Sequence, residues 1–506
     1  MKLKINFLII SFFYISSIFC QDSFFESNRN SEIRNEVVAR VGDIKITAEE
    51  FIYSYEYGPA FPKRVQNSKQ TYLNYMINEK LLALDGYEKG YMKKEEPAGM
   101  YSDIVSDLAA EEMFSKEIMP EIKINDAEIG KVIEKKQSEY EIRWLYAKEL
   151  QQLESYLSDL KKGILFDSLY NKQFNGSVLP EDRQLTSSLY NIYVKNPQFG
   201  QIADTLDPGR ISDPIHTDDG WYIIKIDNIS KNLITGESEY EKLKSESVNA
   251  ITKSKMEILS NQFIKDLFVK ENPVIKRDVF NLLRSYLGKF ILSENEYSGW
   301  KLDDKLETAM KNLGLTKGEK YPGLTLVKSE NNEFTLDEFI TWYRNRENYV
   351  KFKKDDLPQF SKSLEELVWL MVRDKLLSAK ADNGGYFKSP WVKKQAAWWK
   401  DKISYSVNRN ELAKSVTLNS EEIRAINEEH KSESEILTQD FTRKIFNKLV
   451  ELRKKYKITV NDEILREINV SSENDKKAIE MYIVKRGNLI PRPAFPSIDN
   501  DWASWE

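Results

Sequence analysis

From Val37 the chain alternates apolar and polar positions through VVARVGDIKI. Period two is the mark of a strand, and Gly42-Asp43 is a turn pair, so the stretch predicts two short strands joined there. The period then lengthens. Thr47 stands at an N-cap position with Glu50 three residues on, which predicts a helix opened by a capping box. In YLNYMINEKLLAL, residues 72–84, Leu73, Ile77, Leu81 and Leu84 fall on one helical stripe, the pattern of a helix with one buried face. Further along, EIRWLYAKE (141–149) and GWYIIKIDNI (220–229) read as strands and LQQLESYLSDLKKG (150–163) as a helix. Residues 207–209, DPG, form a turn signal. Residues 238–290 are helical and charged, and LTQDFTRKIFNKLVELRKKYK (437–457) is another charged helix.

The helical pattern returns. ITAEEFI (46–52) matches FTLDEFI (334–340), with Thr47, Glu50, Phe51 and Ile52 recurring as Thr335, Glu338, Phe339 and Ile340. Asn331-Asn332 takes the turn position before the second copy. Met76, Lys80, Leu81, Leu82, Gly90, Tyr91 and Lys93 recur as Met371, Lys375, Leu376, Leu377, Gly385, Tyr386 and Lys388, all at an ungapped offset of 295. INDAEI (124–129) and LNSEEI (418–423) make a third station, each with Asn three residues before Glu. Two copies of one helical module, 37–140 and 327–435, account for all three.

With 506 residues the chain is too long for one hydrophobic core, and about three or four domains are expected. Hydrophobic residues at 41% and charged residues at 31% fit a globular protein. The N-terminus, with Lys2 and Lys4 before the apolar run 7–19, predicts a signal peptide over 1–20 and hence export, to the periplasm. The lone cysteine, Cys20, either leaves with that peptide or is a lipid-attachment site, for which the preceding Phe19 is bulky. Without Cys20 there is no thiol for a disulfide or a metal. Net charge is −5 and no basic block is interleaved with aromatics, so nothing points to nucleic acid. His216 and His430 are far apart, which argues against a histidine metal site or catalytic triad, and no cofactor is called for. Residues 21–36 are polar and predict a flexible lead-in. The tail 487–506 holds three prolines and two tryptophans and reads as extended, either a strap on the protein's own surface or a partner-binding segment. WVKKQAAWWK (391–400) places Trp391, Trp398 and Trp399 on one helix, either for core packing or to line a client cleft.

The stretch LDPGRISDPIHTDDGWYIIKI (206–226) resembles the end of a PpiC-type parvulin domain, a peptidyl-prolyl isomerase family. Leu206, Pro208, Gly209, Ile211, Ser212, Asp213, Pro214, Thr217, Gly220, Ile223, Ile224 and Lys225 match that family's pattern, as do Pro197 and Phe199 upstream. The flanking helical modules resemble the N-terminal domain of SurA- and PrsA-like periplasmic chaperones. The likeness covers about 37–290 and, through the second copy, extends to about 435. It implies a helix-rich α+β fold, with a duplicated helical module around a small four-stranded parvulin-like domain at 141–230. A helical connector (231–326) and a C-terminal helical segment (436–486) complete the chain. The resemblance also implies a pocket built from Trp144, Phe199, Asp204, Thr217 and Tyr222. Here the sequence departs from the family. The two histidines fall on Trp144 and Tyr222, two phenylalanines fall on Asp204 and Asp219, and the glycine-rich segment becomes the Gly-free LTSSLYNIYVKN (185–196). Phe199 and Thr217 survive. Twisting a prolyl amide out of conjugation crosses a barrier of roughly 18–20 kcal/mol. A pocket filled by Trp144, with Asp204 and Asp219 charged at or near an apolar floor, is poorly equipped for that. His216 falls at a variable surface position. The expected function is a holdase-type chaperone for unfolded exported or outer-membrane polypeptides. Two alternatives stay open: a slow isomerase working through Tyr222, Thr217 and Phe199, and a structural subunit docked to a cell-envelope assembly through its tail.

Overall fold

A computed structural model describes residues 30–174, 177–217, 219–233, 236–316, 323–417, 432–471 and 489–505. The expected signal peptide with Cys20, the 418–423 capping station and His430 lie outside the described residues. The protein is a helix-rich α+β structure, and among the described residues its strands form three small antiparallel sheets. The chain divides into two units, one of residues up to Pro120 and from Glu257 onward, the other Glu121–Met256.

In the first unit, β1 (Val37–Val41) and β2 (Ile44–Thr47) pair antiparallel about Gly42, which takes a left-handed φ of 56°. Order begins before β1: the lead-in ends in a helical turn, Asn30–Ile33, with Asn30 and Asn469 exchanging hydrogen bonds of 2.9 Å. The third strand of this sheet is β10 (Ile458–Val460), on the far edge of β1, with Ala39 opposite Val460. The segment read as purely helical thus contributes a strand, one of three residues that is too short to show a period.

Thr47 caps the Ala48–Glu56 helix, accepting the Glu50 N–H at 3.2 Å. The reciprocal half of the expected box is not made, because Lys80 takes the Glu50 carboxylate at 2.5 Å. The helix Ser68–Glu88 follows, then Gly90, the turn Tyr91–Lys93 and the helix Glu95–Glu117. The same order recurs downstream: β8 (Thr325–Lys328), β9 (Glu333–Thr335), Leu336–Arg344, Leu357–Asn383, Gly385, Tyr386–Lys388 and Pro390–Lys414. There Thr335 and Glu338 close the full capping box, and the Glu338–Lys375 distance, at 3.6 Å, stands where Glu50–Lys80 does. β8 also takes a third strand on its outer edge, β7 (Val274–Ile275).

The core of this unit explains the stripes. Leu73, Ile77 and Leu81 are buried with Phe51, Tyr53 and Tyr72, and Val368, Val372 and Leu376 are buried in the second copy. The C-terminal tail is drawn into that core and does not lie over it. Phe495 stacks on Tyr53 with ring centroids 4.1 Å apart, and Trp502 and Trp505 are buried against each other at 4.8 Å. Trp398 and Trp399 are buried too, and Trp391 is half-buried.

The second unit begins at Glu121, earlier than the boundary at 140 read from the sequence. The helix Asp126–Gln137, opened by the expected Asn125–Glu128 capping box, packs Ile129 and Ile133 on Ile251 of the helix Glu237–Glu271. Its sheet runs β4-β3-β6-β5, from Gln184–Ser188, Ser138–Ala147, Gly220–Lys231 and Ile215–Thr217. One face buries Tyr140, Ile142, Ile224 and Ile226 under Leu189, Ile192 and Ala203; the other buries Leu145, Ala147 and Ile223 under Leu153, Phe166 and Leu169. Alternation along each strand assigns residues to these faces.

Candidate functional site

Trp144 and Tyr146 are two apart on β3 and share a face. Tyr222 of β6 lies directly opposite Tyr146, with ring centroids 5.1 Å apart. Phe199 comes from the short helix Pro197–Ala203, whose cap, Asn196, accepts the Phe199 N–H at 3.1 Å. Its ring meets Tyr222 edge-on at 4.9 Å and Trp144 at 6.5 Å. The structure therefore brings Trp144, Phe199 and Tyr222 into one aromatic surface.

Thr217 joins them through Asp219. The Thr217 hydroxyl donates to the Asp219 carboxylate, the Tyr222 hydroxyl donates to it at 2.6 Å, and the Tyr146 hydroxyl donates to the Asp219 carbonyl at 2.7 Å. The bonds from Thr217 and Tyr222 hold the Asp219 carboxyl below its ordinary range. Burial, then the bond to Asp219, pushes the Tyr222 phenol well up. At Gly220 φ is 151° and an added Cβ would lie 2.7 Å from Tyr146 Cε2, so this turn needs glycine.

Asp204 is not part of this surface. Its carboxylate is bound by Lys135 at 2.9 Å and by the Tyr193 hydroxyl at 3.0 Å, and it is partly open to solvent. The charge expected near an apolar floor is thus paired at the rim. His216 lies between Ile215 and Thr217 on β5, hence on the opposite face, exposed and tilted against the Trp221 ring at 4.5 Å. Sequence reasoning missed Tyr146, although its place two residues from Trp144 was a signal, and missed Asp219 as an acceptor. Arg183, with its guanidinium 4.9 Å from the Tyr146 ring, carried no signal.

A second concavity lies within the first unit. It encloses about 660 Å³ among the start of the Glu95–Glu117 helix, the Pro390–Lys414 helix and the tail. Pro97, Met100, Trp399, Ile403, Val407 and Pro493 give it apolar patches, set among the charged Lys94, Glu96, Lys402, Glu411, Lys414 and Asp499. That volume falls in the roughly 300–1,000 Å³ range of ligand pockets. Among the described residues there is no group of three or more His, Cys, Asp or Glu able to hold a metal, and no helix long and apolar enough to cross a membrane.

No protein-family model matches the chain, and no curated protein does. Among solved structures it is similar to PrsA from Bacillus subtilis, at 20% identity over 45% of this chain and 92% of that one, with a TM-score of 0.16. It is also similar to the foldase protein PrsA from Streptococcus pneumoniae, at 16% identity over 42% and 85% of the two chains, with a TM-score of 0.22. A third is the peptidylprolyl isomerase PrsA from Bacillus anthracis, at 14% identity over 49% and 99%, with a TM-score of 0.18. TM-scores this low do not establish a common overall fold, so the architecture stands on the sheet orders and registers given above.

Proposed function

We propose that the chain is an exported chaperone that holds unfolded polypeptides and does not catalyse prolyl isomerisation. The observation that carries this reading is the commitment of the aromatic surface. Trp144, Phe199 and Tyr222 offer apolar area for a peptide, while the Thr217 and Tyr222 hydroxyls both donate to Asp219. A prolyl amide seated there finds no idle hydroxyl donor from these two residues, and the family's imidazoles are replaced by indole and phenol rings. The cleft of the first unit, where apolar and charged side chains alternate, adds a second surface of peptide size. The burial of Trp502 and Trp505 weighs against a tail that docks to an envelope assembly, since those rings are already used by the core. The basic and then apolar N-terminus supports work in the periplasm, on clients that include outer-membrane polypeptides.

The test is aggregation of an unfolded outer-membrane polypeptide diluted from denaturant, with the chain added at up to equal amounts. Suppression is expected. Light scattering that is unchanged at equimolar chain would end the reading.

A further inference from the structure

Beside the 660 Å³ cleft lies a recess of about 30 Å³, and the two share Lys402, Pro496, Ser497 and Ile498 in their walls. Glu50, Glu79, Lys80, Asp401 and Lys402 also line the recess. Lys80 is held by Glu50 at 2.5 Å and Asp401 at 2.7 Å, and Lys402 by Glu79 at 2.9 Å and Asp499 at 2.6 Å. Two ammonium groups thus serve four carboxylates. Glu50 is 4% exposed, and among the described residues its Oε2 has no hydrogen-bond partner. A buried carboxylate oxygen without a donor is costly, so with Glu50 ionised the recess lacks one cationic donor.

Size and surroundings say which cation fits. A cavity needs only ~10–15 Å³ of such space for one water, so a recess of about 30 Å³ takes a compact head group. An ammonium head is of that size, whereas a guanidinium is a broad planar fork. The apolar patches of the cleft suit the aliphatic stem behind such a head. We propose that this cleft docks an extended polypeptide segment carrying a lysine, whose ammonium enters the recess and donates to Glu50 Oε2. The inference rests on the chaperone reading and narrows its client class to lysine-bearing segments.

The experiment uses the full chain and short blocked apolar peptides that differ only at the central position: lysine, Nε-acetyl-lysine, arginine or glutamate. Affinities are read by calorimetry. The lysine peptide is expected to bind about tenfold tighter than the acetylated one, as a charge-assisted hydrogen bond would give. It should also bind tighter than the arginine and glutamate peptides. Glu50→Gln should erase that preference, and Ser406→Trp, which fills the cleft, should abolish binding of the lysine peptide. Equal affinity for the lysine and acetyl-lysine peptides, or a preference that survives Glu50→Gln, overturns the inference. Should Glu50→Gln not fold, the peptide series on the unaltered protein decides alone. A chain that suppresses aggregation without preferring lysine refutes this inference and leaves the chaperone reading standing. A chain that binds none of the peptides and suppresses no aggregation refutes both.

Discussion

Glu50 makes the stability of the first unit fall as pH rises. The carboxyl is buried, and its nearest cation, Lys80, is shared with Asp401, 2.7 Å away. Desolvation outweighs what Lys80 returns, and the group is pushed up from its ordinary 4.5 to about 7. In the unfolded chain the same carboxyl keeps its ordinary value. Between the two, the folded state binds more protons than the unfolded state, so stability is full below the unfolded value and is lost as pH climbs through the folded one. A displacement of this size corresponds to about 3 kcal/mol. Glu50→Gln isolates it, because the amide oxygen still accepts from Lys80 but never ionises. Urea unfolding followed by circular dichroism at about pH 5 and about pH 8 should show wild type losing roughly 2.5 kcal/mol relative to the variant across that interval. The reasoning is refuted if the difference between the two proteins is flat with pH, or if wild type gains on the variant as pH rises.

Two further outcomes follow from the packing. Trp502→Ala removes a buried ring together with the bond that its indole N–H donates to Glu79 at 3.1 Å, so unfolding free energy should fall by about 4 kcal/mol in the same denaturant assay. Tyr222→Phe deletes a donor to Asp219, so the Asp219 carboxyl should titrate nearer its ordinary range in a carbon-13 NMR titration, with the Thr217 bond still holding part of the depression.

Local signals were legible where one segment settles its own structure. Gly42-Asp43 marked the first hairpin, Asn125 and Glu128 the start of a helix, and the apolar runs around Leu145 and Ile224 the two central strands of the second unit. What escaped depends on partners far along the chain. Ile458–Val460 becomes a strand only because the free edge of β1 accepts it. A Thr-x-x-Glu pattern does not say whether the carboxylate turns back to its cap, as Glu338 does, or crosses to a buried lysine, as Glu50 does. The Pro/Trp tail reads as extended by composition, yet Glu79, Asp107 and Glu111 await its Asp499, Leu489 and Arg492 on helices about 400 residues earlier. In the aromatic surface the replacements of histidine were plain, but the acceptor role of Asp219 needed the turn at Gly220 to bring Thr217 and Tyr222 together.

The most direct test of a peptide-binding surface without isomerase chemistry is the cis–trans relaxation of a short X-Pro peptide, followed by NMR exchange with and without the purified full chain. The account predicts the uncatalysed rate at every chain concentration. A clear acceleration that disappears in Phe199→Ala would contradict it.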